Sequence, residues 1–141
     1  MGFTHKILWM SDLHQTVSGQ VEGVNSGARL RQVIDQMNRY HPDAACCVAS
    51  GDLTDTGDAA EYDLLQDALS KLTMPVLPMI GNHDNRNNLM AALPCPGMGF
   101  EGYYQYRFDL DGDITLLCLD SVLPGSDAGE LDPARLDWLA G

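Results

Sequence analysis

The chain contains few basic residues. Eight Lys and Arg residues stand against 20 Asp and Glu residues, which gives a formal net charge of −12 at pH 7, and the basic residues form no cluster. Because nucleic-acid binding depends on basic side chains that neutralise phosphates, we expect no nucleic-acid groove. Bound divalent cations would reverse the local potential and could still admit a single phosphate group.

Long hydrophobic runs are also missing. None approaches the roughly 20 residues that cross a bilayer. The N-terminus has no charged segment followed by an apolar stretch and a cleavage site for a signal peptidase. We therefore predict a soluble, cytoplasmic protein with no membrane partner. The length of 141 residues and the 45% hydrophobic content are typical of one globular domain.

The four cysteines show no Cys-x-x-Cys spacing, and Cys46, Cys47 and Cys118 lie within apolar runs. This pattern favours small buried hydrophobic side chains over metal ligands or disulfides.

Three apolar runs each end on side chains that can bind a metal ion. The polar residues after the three runs are, in chain order, Asp12 and His14, then Asp52 and Asp55, and then Asn82, His83 and Asp84. Carboxylate, amide and imidazole groups are ligands of hard or borderline divalent cations. Because no single loop here can surround a cation, we predict that the three loops converge on a metal site.

The regions between the apolar runs show helical spacing. Apolar residues recur on one face at Leu30, Val33, Ile34 and Met37, with Asn25 or Ser26 as the cap, and at Leu65, Ala68, Leu69 and Leu72 after a possible capping box, Asp58-x-x-Glu61. Strands that alternate with helices predict a parallel sheet whose strands all end at one edge. Two prolines, Pro75 and Pro78, argue against a central position for the third strand.

The pattern changes after Gly102. Tyr104, Tyr106 and Phe108 alternate with polar residues, Asp111-Gly112 can form a turn, and residues 114–119 run back, which predicts an antiparallel hairpin. We expect both tyrosines in the core and residues 97–102 to form a loop. A last helix is predicted to begin at Asp132-Pro133.

The three motifs, in this order and at this spacing, resemble those of the calcineurin-like metallophosphoesterases. They read Asp12-x-His14, Gly51-Asp52-Leu53-Thr54-Asp55 and Gly81-Asn82-His83-Asp84. The second motif lacks the arginine of Ser/Thr protein phosphatases, and the third is similar to that of the small bacterial cyclic-nucleotide (class III) and glycerophosphodiester phosphodiesterases. The resemblance implies an α/β fold of the αββα sandwich type. Residues 1–141 would supply the N-terminal part of this single domain, a parallel βαβαβ unit followed by an antiparallel hairpin.

The resemblance also implies two divalent metal ions, which could be Mn, Fe or Zn. One would be held by Asp12, His14 and Asp52, and Asp52 would bridge to a second that also binds the side-chain oxygen of Asn82. A hydroxide between the two metals would attack the phosphorus of a small phosphodiester. His83 would bind a phosphoryl oxygen or protonate the leaving group, and Asp84 would fix the tautomer of His83.

Some of these residues could instead have structural roles or lie in solvent. Asn82 could be a left-handed turn residue, Asp55 is expected to brace its loop by hydrogen bonds, and Arg86 could touch substrate or lie in a solvated loop. His5 and His41 match no motif position and are expected at the surface.

Relatives complete their sites with histidines from later motifs, whereas no histidine follows His83 here. We therefore expect the N-terminal part of a longer enzyme, with a weakened second metal site and with exposed strand edges that promote self-association. Homodimerisation, common among relatives, stays open. Two functions stay open as well: hydrolysis of a cyclic nucleotide or glycerophosphodiester, and a non-catalytic metal-binding or scaffolding role.

Overall fold

A computed structural model describes residues 5–141 of the chain. Strands and helices alternate in its first part, and a second group of strands follows. The elements are β1 (Ile7–Met10), α1 (Ser26–Tyr40), β2 (Cys46–Ser50), α2 (Ala59–Leu69), β3 (Val76–Met79), α3 (Arg86–Ala92), β4 (Met98–Gly99), β5 (Tyr106–Asp109), β6 (Thr115–Cys118) and α4 (Pro133–Ala140). The predicted α/β architecture is confirmed.

The first sheet is parallel and has the strand order β1-β2-β3. The central strand β2 is the most apolar, and its residues 46–49 are buried. The proline-containing strand β3 lies at an edge, where the missing N–H of Pro78 need not pair with a further strand. Because all three strands are parallel, they end at the same side of the sheet.

The helices pack through most of the apolar residues that their spacing predicts, although Val33 is 37% exposed and Leu72 lies beyond the end of α2. Leu30 and Ile34 of α1 are buried, and the Oδ1 of Asn25 accepts a hydrogen bond from the N–H of Ala28 at 2.7 Å, which confirms the predicted cap. The capping box predicted for α2 is wrong. The side chain of Asp58 makes no cap bond, and Glu61 instead accepts bonds from the N–H and hydroxyl of Thr56.

The second sheet is antiparallel, with the order β4-β5-β6, and contains the predicted hairpin. Its first strand was expected to be a loop. Gly97 permits this strand to form, because a Cβ there would lie 2.0 Å from the carbonyl oxygen of Arg107. Tyr104 and Tyr106 are buried as expected, and the hydroxyl of Tyr106 donates to the carbonyl of Pro78 at 2.7 Å, which joins the two sheets.

Four strands lie at sheet edges within residues 5–141, because β1 and β3 pair only with β2, and β4 and β6 pair only with β5. Apolar side chains lie beside them: Trp9 is 67% exposed and Leu117 is 44% exposed. This is the exposed edge surface that the sequence predicts. In the same part of the chain, none of the helices combines the length and apolar character needed to cross a membrane.

Candidate metal centre

The loops that follow β1 and β2 run side by side. The N–H of Asp12 donates to the carbonyl of Gly51 at 3.2 Å, and the N–H of His14 donates to the carbonyl of Asp52 at 3.0 Å. The third loop joins them, because the N–H of His83 donates to the Oδ1 of Asp52 at 3.1 Å. The predicted convergence of the three loops is therefore present.

The backbone at this point is strained. Asp12, His14 and Asp52 have φ angles of 54°, 41° and 46°, in the left-handed region. Among the non-glycine residues that the structure describes, only Glu22 shares this property. Left-handed backbone costs a residue with a Cβ about 1–2 kcal/mol, and such strain concentrates at functional sites. Three of the four strained residues are predicted metal ligands.

The side chains of these three residues form a compact group. One ligand atom from each of Asp12, His14 and Asp52 lies within 4.8 Å of the other two. The Nε2 of His14 and the Oδ2 of Asp52 are 3.9 Å apart. Ligands of a common cation would each lie about 2.0–2.2 Å from it, so this spacing fits. One imidazole and two carboxylates suit Mn, Fe or Zn.

A glycine brings the third loop this close to Asp52. A Cβ added to Gly81 would lie 2.1 Å from the backbone nitrogen of Asp52 and 2.2 Å from its Oδ1. No side chain fits there, so Gly81 is required for the contact between the second and third loops.

Asn82 lies between Gly81 and His83, both of which contact Asp52. Its side-chain Nδ2 donates to the Oδ1 of Asp127 at 3.1 Å. This bond identifies the amide nitrogen as the group that faces Asp127, so the amide oxygen is the one that can bind a cation. Sequence reasoning missed Asp127, which lies in an irregular segment after β6 and belongs to no motif.

His83 is oriented by Asp55. The Nδ1 of His83 donates to the backbone carbonyl of Asp55 at 2.8 Å, which leaves Nε2 to face solvent or a substrate. The pKa of His83 is raised, first by this bond to Asp55 and then by the charges of Asp52, Asp55 and Asp84, while partial burial opposes the shift.

The predicted contact between Asp84 and the ring of His83 is wrong. The carboxylate of Asp84 instead accepts hydrogen bonds from backbone and hydroxyl groups of the second and third loops and of α2: the N–H groups of Leu53, Thr54 and Gly81 and the hydroxyls of Thr54 and Tyr62. Asp84 therefore holds the second and third loops together. The role that was predicted for Asp84, fixing the tautomer of His83, is taken by the backbone carbonyl of Asp55.

Asp55 also contacts His14. Its Oδ1 lies 3.1 Å from the Nδ1 of His14, and the rings of His14 and His83 meet edge to face with centroids 4.7 Å apart. Ligand atoms of these three residues also lie within 4.8 Å of one another. Asp55 hydrogen-bonds the Nδ1 of His14 through its carboxylate and the Nδ1 of His83 through its backbone carbonyl. Asp55 therefore orients both imidazoles.

A cavity of about 550 Å³ opens beside Asp12 and His14. Its walls come from β1, α1 and the loop between them, and include Trp9, Arg29 and Val33. The cavity offers space for a small molecule next to the candidate ligands.

Comparisons with known proteins agree with this geometry. Residues 5–135 match the family model of the calcineurin-like phosphoesterases. A probable cyclic nucleotide phosphodiesterase of Rhodopseudomonas palustris is 31% identical, over 95% of this chain and 50% of the relative. A glycerophosphodiester phosphodiesterase of Enterobacter lignolyticus is 35% identical, over 82% and 42%. A 3',5'-cyclic adenosine monophosphate phosphodiesterase of Vibrio vulnificus is 26% identical, over 93% and 47%.

The chain spans about half the length of the curated relatives it matches. The match to the family model nevertheless includes all three motif loops. The chain belongs to the calcineurin-like phosphoesterase family.

Proposed function

We propose that this chain forms the metal centre of a phosphodiesterase that hydrolyses a small phosphodiester, either a cyclic nucleotide or a glycerophosphodiester. The observation that carries the proposal is the convergence of Asp12, His14 and Asp52, whose ligand atoms lie within 4.8 Å of one another. The names of the relatives support the substrate class.

The cations would be held by residues of the three converging loops. Asp12, His14 and Asp52 would bind the first, and Asp52 and the amide oxygen of Asn82 would contribute to a second. Bound divalent cations neutralise charge on phosphoryl oxygens and lower the pKa of water. The fold of the chain would hold these ligand side chains in position before the cations bind.

His83 is the proposed catalytic acid. Its Nδ1–H donates to the carbonyl of Asp55, so Nε2 is the nitrogen that faces the substrate. In the imidazolium form of the ring, Nε2 also carries a proton, which passes to the leaving alkoxide oxygen and leaves the neutral imidazole. In the metal-free chain the pKa of His83 is raised, first by the bond to the carbonyl of Asp55, which favours the imidazolium form. Asp84 contributes indirectly, because it joins the loops that carry His83 and Asp52.

The charge of the chain favours a small substrate. A net charge of −12 repels a long polyanion, whereas one phosphodiester brings a single negative charge to a site that cations make positive. The cavity beside Asp12 and His14 has room for such a molecule.

A second candidate is metal binding without turnover. It is favoured by the unequal sets of ligands within residues 5–141, where the first cation has three candidate side chains and the second has Asp52 and Asn82. In this case the site would bind metal and serve a structural or scaffolding role.

The test is hydrolysis of a chromogenic bis-aryl phosphate with added Mn²⁺. We expect Asp52→Ala to abolish activity, and His83→Ala to lower kcat by about 10²- to 10⁴-fold with Mn²⁺ still bound. His41→Ala, at the exposed end of α1, is the matched control and should be unchanged. Activity that survives Asp52→Ala would reject the proposal, and Mn²⁺ binding without any turnover would support the second candidate.

A further inference from the structure

A partly buried ion pair joins the third loop to the end of the antiparallel sheet. Arg86, the first residue of α3, donates from Nε to the Oδ2 of Asp120 at 2.6 Å and from Nη2 to its Oδ1 at 2.9 Å. Asp120 follows β6 and is fully buried. A two-point bond of this kind fixes the orientation of the guanidinium as well as its distance. Arg86 is therefore paired with Asp120 rather than held in a solvated loop.

The remaining bonding capacity of Asp120 is also used. Its carboxylate accepts from the N–H of Tyr104 at 2.8 Å and from the N–H of Val122 at 3.1 Å. Arg86 makes a further bond to the carbonyl of Val122 at 3.1 Å. Because a buried charge without its partner is strongly unfavourable, these bonds make the relative position of Arg86 and residues 120–122 rigid.

A second arginine reinforces the same point. Arg135 of α4 is 4% exposed and donates from Nη1 to the backbone carbonyl of Asp120 at 2.6 Å. Its guanidinium lies 4.2 Å from the ring centroid of Tyr103, and that of Arg86 lies 5.2 Å from the same ring. The hydroxyl of Tyr103 donates to Asp132, which caps α4. Asp120 is thus the point where α3, α4 and the antiparallel sheet meet.

The segment that leaves Asp120 returns to the metal loop. It carries Asp127, which accepts the bond from the Nδ2 of Asn82. The third loop is therefore held on its outer side at two places, at Asn82 by Asp127 and at Arg86 by Asp120. On its inner side the N–H of His83 donates to Asp52.

We propose that Asp120 is a positioning residue for the metal centre. Through Arg86 and the segment 120–127 it holds Asn82 and His83 against Asp52. The role of Asn82 and His83 in metal binding and catalysis rests on the proposed function. The coupling between Asp120 and the third loop does not require a metal.

The test is hydrogen exchange of backbone amides, measured by NMR on the metal-free chain. In Asp120→Asn we expect the His83 amide, bonded to Asp52, to exchange about tenfold faster relative to the amide of His14 than it does in the wild type. The His14 amide is bonded to the carbonyl of Asp52 and reports the first two loops. Ile34→Ala, a core change in α1, is the control for a general loss of stability and should speed both amides alike.

Arg86→Lys is the milder second variant if Asp120→Asn does not fold. It keeps the charge but cannot form the two-point bond, so the same selective change in the His83 amide is expected at smaller size. If His83 and His14 change equally, or neither changes, the proposal is overturned. Mn²⁺ titration of the same samples tests the proposed function separately: a wild type that binds no Mn²⁺ would reject that function, whereas the exchange result would still decide the role of Asp120.

Discussion

His14 directs its Nδ1 at the carboxylate of Asp55, and the two atoms lie 3.1 Å apart. Because Nδ1 is engaged, Nε2 is the nitrogen that faces Asp52, at 3.9 Å. A carboxylate that hydrogen-bonds the far side of a ligand imidazole fixes its tautomer and raises its basicity. We therefore expect Asp55 to prepare His14 for cation binding, while its backbone carbonyl orients His83.

Asp55→Ala should weaken metal binding without removing a ligand. The ring of His14 would lose the partner that sets its tautomer, and we expect the affinity for Mn²⁺ to fall by about 10- to 100-fold. Calorimetric titration measures this directly. Asp58→Ala is the control, because Asp58 is exposed and its side chain makes no cap bond. Equal affinity in the Asp55 and Asp58 variants would contradict this role.

Gly81→Ala should separate the second and third loops. The new methyl group would overlap the backbone nitrogen and Oδ1 of Asp52, at 2.1 and 2.2 Å, so Asp52 must move. We expect the Mn²⁺ affinity to fall by at least about tenfold and the melting temperature to decrease. Gly99→Ala is the matched control, since the nearest contact of its Cβ would be 3.8 Å. A Gly81 variant that binds Mn²⁺ as tightly as the Gly99 variant would show that this close approach is dispensable.

Stability at acid pH should depend on Asp120. Burial opposes its ionisation, but the bonds from Arg86, Tyr104 and Val122 outweigh burial, and the pKa of Asp120 lies below its ordinary value of 3.8. A carboxyl group with a lowered pKa in the folded state stabilises the fold above its ordinary pKa. This contribution is lost as the pH falls through the folded-state pKa.

Asp120→Asn removes this contribution and leaves Arg86 without its counter-charge. We expect the free energy of unfolding near neutral pH to fall by about 3–5 kcal/mol. The variant should also lose less stability than the wild type as the pH is lowered below about 4. Urea unfolding at a series of pH values measures both effects. Parallel pH curves for the two proteins would show that Asp120 is not the group responsible.

The convergence of the motifs could be predicted because it follows from a general rule. Strands that alternate with helices form a parallel sheet, and such a sheet brings the ends of its strands to one edge. Asp12, Asp52 and His83 therefore meet although they are far apart in sequence. A separate rule, that proline lacks the N–H a central strand needs, predicted the edge position of the third strand.

The roles of Asp55 and Asp84 could not be assigned in this way. Both are acidic residues near His83, and the choice between them depends on backbone angles that spacing does not determine. Asp84 turns toward the N–H groups of Gly81, Leu53 and Thr54, so the carbonyl of Asp55 is left to bind the ring.

Contacts across long stretches of sequence left even less signal. Arg86 and Asp120 are separated by 34 positions, and neither belongs to a periodic pattern that would indicate a pair. The strand β4 has two residues, which is too short for an alternation of polar and apolar side chains to be visible.

The most direct test of the metal centre is a Co²⁺ titration of the chain, followed by the visible absorption of the bound ion. We predict that a cation binds at the Asp12, His14 and Asp52 group, and that alanine at any of the three lowers its affinity by at least about tenfold. Asp43→Ala, an exposed change at the pair with Lys6, should leave the titration unchanged. An Asp52→Ala variant that folds and binds Co²⁺ as tightly as the wild type would contradict the account.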